Sequence, residues 1–159
     1  MSRPLDRIDC EIIRALQNNA RQTNKQLAET VSLAPSSCLE RVRRLQADGV
    51  LRGFHAVVDP TALGIGLEAM IAIQLTSHTR EDVRNFHDYA MTVPEVVGLY
   101  HVTGARDFLV HVAVRDADHL RDMAMDAFTT RPEVTRLETS LIFERLEKPG
   151  LPILLHPEA

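Results

Sequence analysis

The chain has 159 residues, of which 45% are hydrophobic and 25% charged, and its formal net charge at pH 7 is −4. This balance is that of an ordinary soluble globular protein, and the length allows one domain or two small ones. No apolar run approaches the roughly 20 residues that a transmembrane helix needs, and the first residues lack the apolar core of a signal peptide. We therefore expect a cytoplasmic protein without a membrane partner.

The charge is distributed unevenly along the chain. Residues 1–55 contain nine Lys/Arg and six Asp/Glu, whereas residues 56–159 contain nine and sixteen. This asymmetry indicates a basic N-terminal module joined to an acidic C-terminal one. Because the basic excess is only +3, any binding to nucleic acid must gain from having several copies of the module.

Three helices are predicted in the basic module. The first runs from about Leu5 to Asn18, with apolar residues at helical spacing. Thr23–Gln26 matches a capping box at the start of the second helix, and residues 32–34 form a turn. The third helix has Pro35 at its first position and Gly49 just beyond its end. A short helix, a tight turn and a second helix with basic residues predict a helix-turn-helix, whose last helix enters the major groove of DNA.

The third helix has an apolar face and a polar face at about 100° per residue. Guanidinium groups suit phosphates and the acceptor edge of guanine, and hydroxyl groups add hydrogen bonds. The alternative is a solvated face balanced by Glu40 and Asp48, which the preceding turn and helix make the weaker interpretation. We assign Ser37, Arg41 and Arg44 to base readout or groove contacts, Arg43 and Thr23 to phosphates, and Ser36 to hydrogen bonds with DNA.

The segment after Gly49 carries two patterns that need interpretation. Val50–Val58 is predicted to be β structure, serving as a small wing and as the linker out of the module. Gly64–Ala69 matches the pattern G-x-G-x-x-A, but we reject a dinucleotide site, because that fingerprint follows a strand and opens a helix. Here a loop precedes the pattern and a strand follows it.

Cys10 and Cys38 lie in predicted helices without metal-ligand spacing, and the seven histidines show no metal-type clustering. We expect reduced core cysteines, no metal and no cofactor, with a redox switch as a minor alternative.

The remainder of the chain reads strand, helix, strand, strand, helix, strand. The predicted bounds are Glu68–Thr76, Thr79–Thr92, Glu95–Val102, Asp107–Arg115, Ala117–Thr129 and Val134–Leu146. Two βαβ units in series predict a ferredoxin-like sandwich, with one antiparallel sheet and two helices on one face. Apolar positions alternate on both sides of these strands, so a second copy of the sheet is the natural cover and we expect a homodimer.

Three motifs together resemble the Lrp/AsnC family of feast/famine regulators, over about residues 4 to 147. They are the opening Leu5–Asp9, the recognition helix Cys38–Leu45 with Asp48–Leu51 after it, and the loop motif Val102–Leu109. The chain departs from the family pattern at Ser32 and Ala34, where the family usually has Gly and Ser. It departs again at Arg106, where an aromatic or acidic residue is common. Ala34 forfeits a side-chain cap worth about 0.5–2 kcal/mol.

The resemblance implies a transcriptional regulator that is not an enzyme, with double-stranded DNA and a free amino acid as its partners. It implies dimers joined through the sheet faces, often assembled into tetramers of dimers. The α+β chain would then comprise a winged helix-turn-helix domain (1–55), a linker (56–66), a ferredoxin-like effector-binding and oligomerisation domain (67–147) and a tail (148–159). The tail is too apolar to be free, and we expect it to pack on another subunit.

The glycine turn after the second strand is the predicted effector site. Its exposed backbone N–H and C=O groups match an α-carboxylate and an α-ammonium, and Gly104 would allow close approach. The alternative is a simple turn glycine. Asp107 would hold an ammonium or cap the turn, and Arg106 would pair with a carboxylate or a neighbouring subunit. The full candidate set is His101, Thr103, Gly104, Ala105, Arg106, Asp107 and Ser140.

The main alternative function is an enzyme on the same two-domain plan, similar to siroheme decarboxylases. Tyr100, His101 and Arg106 would serve tetrapyrrole chemistry in that case. The basic recognition helix argues against it, because such an enzyme would not need one. A sensing or interaction module without DNA binding is a further alternative, favoured by the overall acidity.

Overall fold

The computed structural model describes residues 4–155, so the last four residues of the predicted tail lie outside the described residues. The chain divides into two compact units. One comprises the chain up to Val57 together with the segment from Leu146 onward, and the other comprises Val58–Arg145. No helix within residues 4–155 is long and apolar enough to cross a membrane.

Three helices form the N-terminal unit: α1 (Arg7–Asn18), α2 (Asn24–Thr30) and α3 (Pro35–Ala47). The second and third begin where their sequence signals predict, whereas α1 begins at Arg7, two residues after the predicted Leu5. Asp6 and Asp9 form a capping box on α1. On α2 the predicted box is confirmed, since the Thr23 N–H donates to Gln26 Oε1 at 2.8 Å and the Gln26 N–H donates to Thr23 Oγ1 at 3.3 Å. Such reciprocal bonds satisfy backbone donors that a helix start leaves unpaired.

The turn between α2 and α3 shows the two departures from the family pattern in three dimensions. Ser32 has a φ of 54°, a left-handed conformation that favours glycine. Ala34 is the N-cap of α3 and makes no side-chain cap, because a methyl group cannot accept a hydrogen bond. Pro35 at the first helical position and Gly49 beyond the end confirm the predicted asymmetry of the helix.

The core of this unit lies between the three helices. Its fully buried members include Ile12, Leu27, Cys38 and Leu45. Cys10 and Cys38 are both free and buried, in keeping with core cysteines, and burial raises the pKa of the Cys38 thiol. A thiol held neutral in this way is a poor nucleophile.

The prediction of β structure over Val50–Val58 is wrong for this chain. These residues form no strand, and the side chain of Val57 is fully exposed. A strand requires a neighbour that takes its backbone hydrogen bonds, and within residues 4–155 none pairs with this segment. The apolar residues of this stretch are therefore present without a neighbouring strand that would order them.

The second unit is a four-stranded antiparallel sheet in the order β2-β3-β1-β4. In chain order its elements are β1 (Leu67–Leu75), α4 (Arg80–Ala90), β2 (Val96–His101), β3 (Phe108–Val114), α5 (Ala117–Ala124) and β4 (Val134–Ile142). This is the predicted ferredoxin-like arrangement. The helix predicted to Thr129 continues beyond α5 only as one π-helical turn, and the last strand ends four residues earlier than predicted.

The two faces of the sheet differ. Ile71, Ile73 and Leu75 point to the helices, where the ring of Phe86 of α4 packs against that of Phe108 at a tilt, with ring centroids 4.8 Å apart. The alternate residues of β1 point to the opposite face and remain partly exposed. Gly64 and Gly66 lead from a 3₁₀ turn into β1, so the rejected dinucleotide pattern has neither the preceding strand nor the following helix.

Candidate functional site

The exposed side of α3 presents polar side chains together with one arginine. Ser36, Ser37, Glu40 and Arg43 are all exposed there, and Thr23 is exposed at the start of α2. The helix start combines free backbone N–H groups with two hydroxyls, which suits contact with phosphate oxygens. Four of the six predicted DNA-binding residues therefore lie at accessible positions of the helix-turn-helix.

Arg41 and Arg44 point elsewhere. The Arg41 guanidinium donates to Asp6 at 2.6 Å and to Asp9 at 2.8 Å. The Arg44 guanidinium donates to both oxygens of Asp9 at 2.7 and 2.6 Å. The Asp9 side chain is fully buried, whereas the side chains of Arg41 and Arg44 are 24% and 31% exposed.

This cluster ties the recognition helix to the start of α1. The hydrogen bond that Arg41 donates to Asp6 is the largest cause of a raised pKa of Arg41, so that guanidinium stays charged. A buried carboxylate is tolerated only when it is paired and hydrogen-bonded, and Asp9 has two guanidinium partners. The geometry thus gives Arg41 and Arg44 a positioning role that sequence reasoning missed, and Arg43 is the exposed arginine of α3. The opposite charges are visible in the sequence, as two aspartates near the chain start and two arginines three residues apart, but no local pattern shows that they meet.

The loop between β2 and β3 contains the predicted glycine, and its backbone conformation favours glycine at that position. Gly104 has a φ of 113°, which side chains disfavour, yet a Cβ built there would meet no atom within 4 Å. Within the described chain the glycine is therefore required by backbone conformation rather than by crowding. Thr103, Gly104 and Ala105 are exposed, so their peptide groups can be reached from solvent.

Arg106 joins this loop to β4, the edge strand on the far side of β1. Its Nη2 lies 2.7 Å from Glu138 Oε2 of β4, and its Nη1 donates to the Ala105 carbonyl at 2.7 Å. The hydrogen bond from Arg106 is the largest cause of a lowered pKa of Glu138. A lowered folded-state pKa means that this contact stabilises the fold at neutral pH and is lost only as the pH falls through that lowered value.

Glu138 and Ser140 lie on the same face of β4, because residues two apart in a strand share a face. That face is the one away from the helices, since Ser140 pairs with Met70 and Glu138 with Ala72. His101 is instead paired with Phe108 and stacks on its ring at 4.8 Å, on the helix side. The structure therefore brings Arg106 and Ser140 to one face and separates His101 from them.

Asp107 is buried and already has partners. Its Oδ2 accepts the Leu75 N–H at 2.8 Å, and its Oδ1 lies 2.8 Å from His78 Nε2. Its own N–H donates to the Ile73 carbonyl at 2.9 Å. These contacts tie the end of the loop to β1, so the geometry favours an anchoring role over the predicted contact with an ammonium.

We expect Asp107→Ala to destabilise the sheet domain by about 1–3 kcal/mol, because it leaves the buried Leu75 N–H without an acceptor. Chemical denaturation would measure the loss. Asp88→Ala removes an exposed carboxylate of α4 and is the matched control. Equal stability of the two variants would contradict the anchoring role.

A helix-turn-helix module followed by a ferredoxin-like sheet domain with a glycine loop defines a class of two-domain DNA-binding regulators. Family comparison agrees with both units. The model described as "Winged helix-turn-helix DNA-binding" matches residues 5–52, and that described as "Lrp/AsnC ligand binding domain" matches residues 68–151. The chain belongs to the Lrp/AsnC family of transcriptional regulators.

The chain is 46% identical over 145 residues to the HTH-type transcriptional regulator AldR of Mycolicibacterium smegmatis, covering 91% of this chain and 85% of AldR. Among solved structures it matches the regulator NMB0573 of Neisseria meningitidis in complex with L-Met. That match has a TM-score of 0.84 and 28% identity, and covers 91% of this chain and 94% of the other. Escherichia coli AsnC matches with a TM-score of 0.83 and 25% identity, over 94% and 99% of the two chains.

Proposed function

We propose that this regulator senses a free amino acid at the Val102–Asp107 loop and alters its binding to DNA in response. The observation that carries the proposal is the exposed Gly104 turn, whose peptide groups lie next to the Arg106–Glu138 pair. Backbone N–H and C=O groups complement an α-carboxylate and an α-ammonium, which every free amino acid carries. The L-Met bound to the Neisseria regulator supports this ligand class.

Arg106 gives the loop a means of response. Its guanidinium is shared between the loop carbonyl of Ala105 and the β4 carboxylate of Glu138. A ligand carboxylate would compete with Glu138 for the same donors and so change the link between the loop and β4. Ligand binding that favours one arrangement of this link would bias DNA binding only if the two arrangements differ in affinity for DNA.

DNA binding would require more than one copy of the chain. The basic excess of residues 1–55 is only three charges, and affinity for DNA rises with the number of phosphates neutralised. On the sheet face opposite the helices lie Met70 and Ala72 of β1, together with Leu109 of β3, which pairs with Ala72. We propose that a second copy covers this face in a cytoplasmic homodimer, which can assemble further into a tetramer of dimers.

Two measurements test the DNA-binding proposal. Binding to duplex DNA should be tight at low salt and weaken steeply as salt rises. Sedimentation should show a dimer or a larger assembly at micromolar concentration. A monomer that binds no duplex at low salt would contradict the proposal.

We expect Gly104→Val to abolish the response to amino acids, with some loss of stability from the strained loop, while leaving DNA affinity without ligand largely unchanged. The reason is that a β-branched residue cannot adopt a φ of 113° without strain, so the loop and its peptide groups must rearrange. The readout is a thermal-shift screen of the twenty amino acids, because a ligand that binds the native state raises its melting temperature.

Gly64→Val is the matched control for this experiment. Gly64 also has a positive φ, 78°, and open space around its Cβ position, but it ends a 3₁₀ turn before β1. It should retain the full amino-acid response. A Gly104→Val variant that still responds would exclude this loop, and a wild-type protein that responds to none of the twenty would exclude amino-acid sensing.

A further inference from the structure

The chain returns to its N-terminal unit after the sheet is complete. β4 ends at Ile142, and the segment from Leu146 onward belongs to the unit that contains α1. Lys148–Leu155 has no regular secondary structure and contains two prolines and one glycine. Prolines restrict an unbound chain and carry no N–H of their own, so such a segment can be held at low entropic cost.

The side-chain amide of Gln17 in α1 forms hydrogen bonds with the backbone of this segment. The Leu151 N–H donates to Gln17 Oε1 at 2.6 Å, and Gln17 Nε2 donates to the Leu151 carbonyl at 3.3 Å. One side-chain amide thus satisfies both backbone groups of a single residue, as a neighbouring strand would. The side chain of Leu151 itself is 78% exposed, so recognition is through the backbone.

Gly150 makes this approach possible. A Cβ at residue 150 would lie 2.7 Å from Gln17 Oε1, 2.8 Å from its Cδ and 2.9 Å from its Cβ. The last of these atoms cannot swing away, because it is attached directly to the α1 backbone. The glycine is therefore needed at this position by close contact, in contrast to Gly104.

The segment also borders an apolar hollow of the same unit. Its volume is about 730 Å³, and its walls include Leu5 before α1, Ile13 of α1, and Val50 and Leu51 after α3. Ile153 is the half-buried residue of the segment, whereas Leu154 and Leu155 remain largely exposed. Backbone recognition at Leu151 and partial burial of Ile153 together fix one register of the segment along α1.

We propose that Lys148–Leu155 is a clasp, a segment that binds α1 of its own chain through the Gln17 amide and the Gly150 contact. The chain leaves the DNA-binding module at Val57 and comes back to it at Leu146. A bound clasp therefore adds a second attachment of the chain to the module, besides the covalent connection between Val57 and Val58. This inference concerns the module and its tail, and it stands whether or not the protein responds to an amino acid.

Amide hydrogen exchange in the full-length protein, resolved by NMR, tests the clasp. We expect the Leu151 amide to exchange at least 10-fold more slowly than an unstructured amide, and both Gln17→Ala and Gly150→Val to remove that protection. The two variants act from opposite sides of the contact, so agreement between them separates release of the clasp from local damage to α1. Gln22→Ala is the control, because the Gln22 amide bonds to the Asn19 carbonyl instead. An unprotected Leu151 amide in the wild type, or unchanged protection in Gln17→Ala, would overturn the clasp.

A cross-link decides whether the segment binds its own chain. Arg14 of α1 and Lys148, the first residue of the clasp, line a second hollow of about 320 Å³, and neither belongs to the Gln17–Leu151 contact. An Arg14→Cys/Lys148→Cys variant treated with a short bismaleimide should give a cross-link within one chain, detected by mass. Cross-links found only between chains would overturn the proposal in favour of tails exchanged between copies.

Discussion

Asp9→Ala is expected to destabilise the N-terminal unit by about 3 kcal/mol, the lower end of the range for breaking a buried ion pair. The substitution removes the carboxylate that accepts hydrogen bonds from Arg41, Arg44 and the Asp6 N–H. The estimate sits at the lower end because both guanidiniums keep part of their exposure and can regain water. Chemical denaturation, followed by helical circular dichroism, measures the loss.

Glu11→Ala provides the control within the same helix. Glu11 pairs with Arg7 at 2.8 Å in an exposed i, i+4 arrangement, and such pairs contribute only about 0.3–0.5 kcal/mol. If Asp9→Ala proved as mild as Glu11→Ala, the buried cluster would not be what holds α3 against α1.

The same cluster predicts that Arg41→Ala and Arg44→Ala weaken DNA binding partly through loss of stability, because each leaves the buried Asp9 carboxylate with one guanidinium partner.

Arg43→Ala is expected to weaken DNA binding without lowering the melting temperature. Arg43 is the exposed arginine of α3, and within residues 4–155 it forms no hydrogen bond or ion pair with another side chain. As a phosphate contact it should contribute similarly on any DNA sequence, and its loss should reduce the slope of log affinity against log salt by about one per bound module. Gel-shift or anisotropy titrations at several salt concentrations measure that slope.

Arg84→Ala removes the same charge from an exposed position on α4 of the other domain and is the matched control. Its salt slope should equal that of the wild type. An Arg43→Ala variant with wild-type affinity and slope would contradict the phosphate contact. A loss of affinity for one DNA sequence but not for others would instead assign Arg43 to base readout and contradict the phosphate contact.

Much of the fold could be predicted because its signals are local. The capping box at Thr23, the proline at the start of α3 and the glycine beyond its end act within a few residues, so their effect does not depend on the rest of the molecule. The strand and helix order after residue 67 follows from hydrophobic period, and two βαβ units have few compact arrangements. Element ends were less predictable, and β4 ended before Leu146.

The candidate site depended more on long-range contacts. Periodicity alone placed Arg41, Arg43 and Arg44 together as cations of one helix, but it could not show that two of them meet Asp9, 32 and 35 residues away. It likewise indicated Asp107 as a polar loop residue without showing that Leu75 and His78 already occupy its oxygens. Ion pairs and hydrogen bonds of this kind join distant parts of the chain, and no local pattern encodes their geometry.

By itself, the sequence determined the helix-turn-helix, the ferredoxin-like sheet and the family, because these rest on short-range capping, periodicity and contiguous motifs. Only the tertiary structure decided which arginines face outward, why Gly104 and Gly150 must be glycine, and where the apolar tail binds. The physical reason is that a side chain's role depends on the partners that folding brings within about 3 Å of it, and those partners lie far away along the chain.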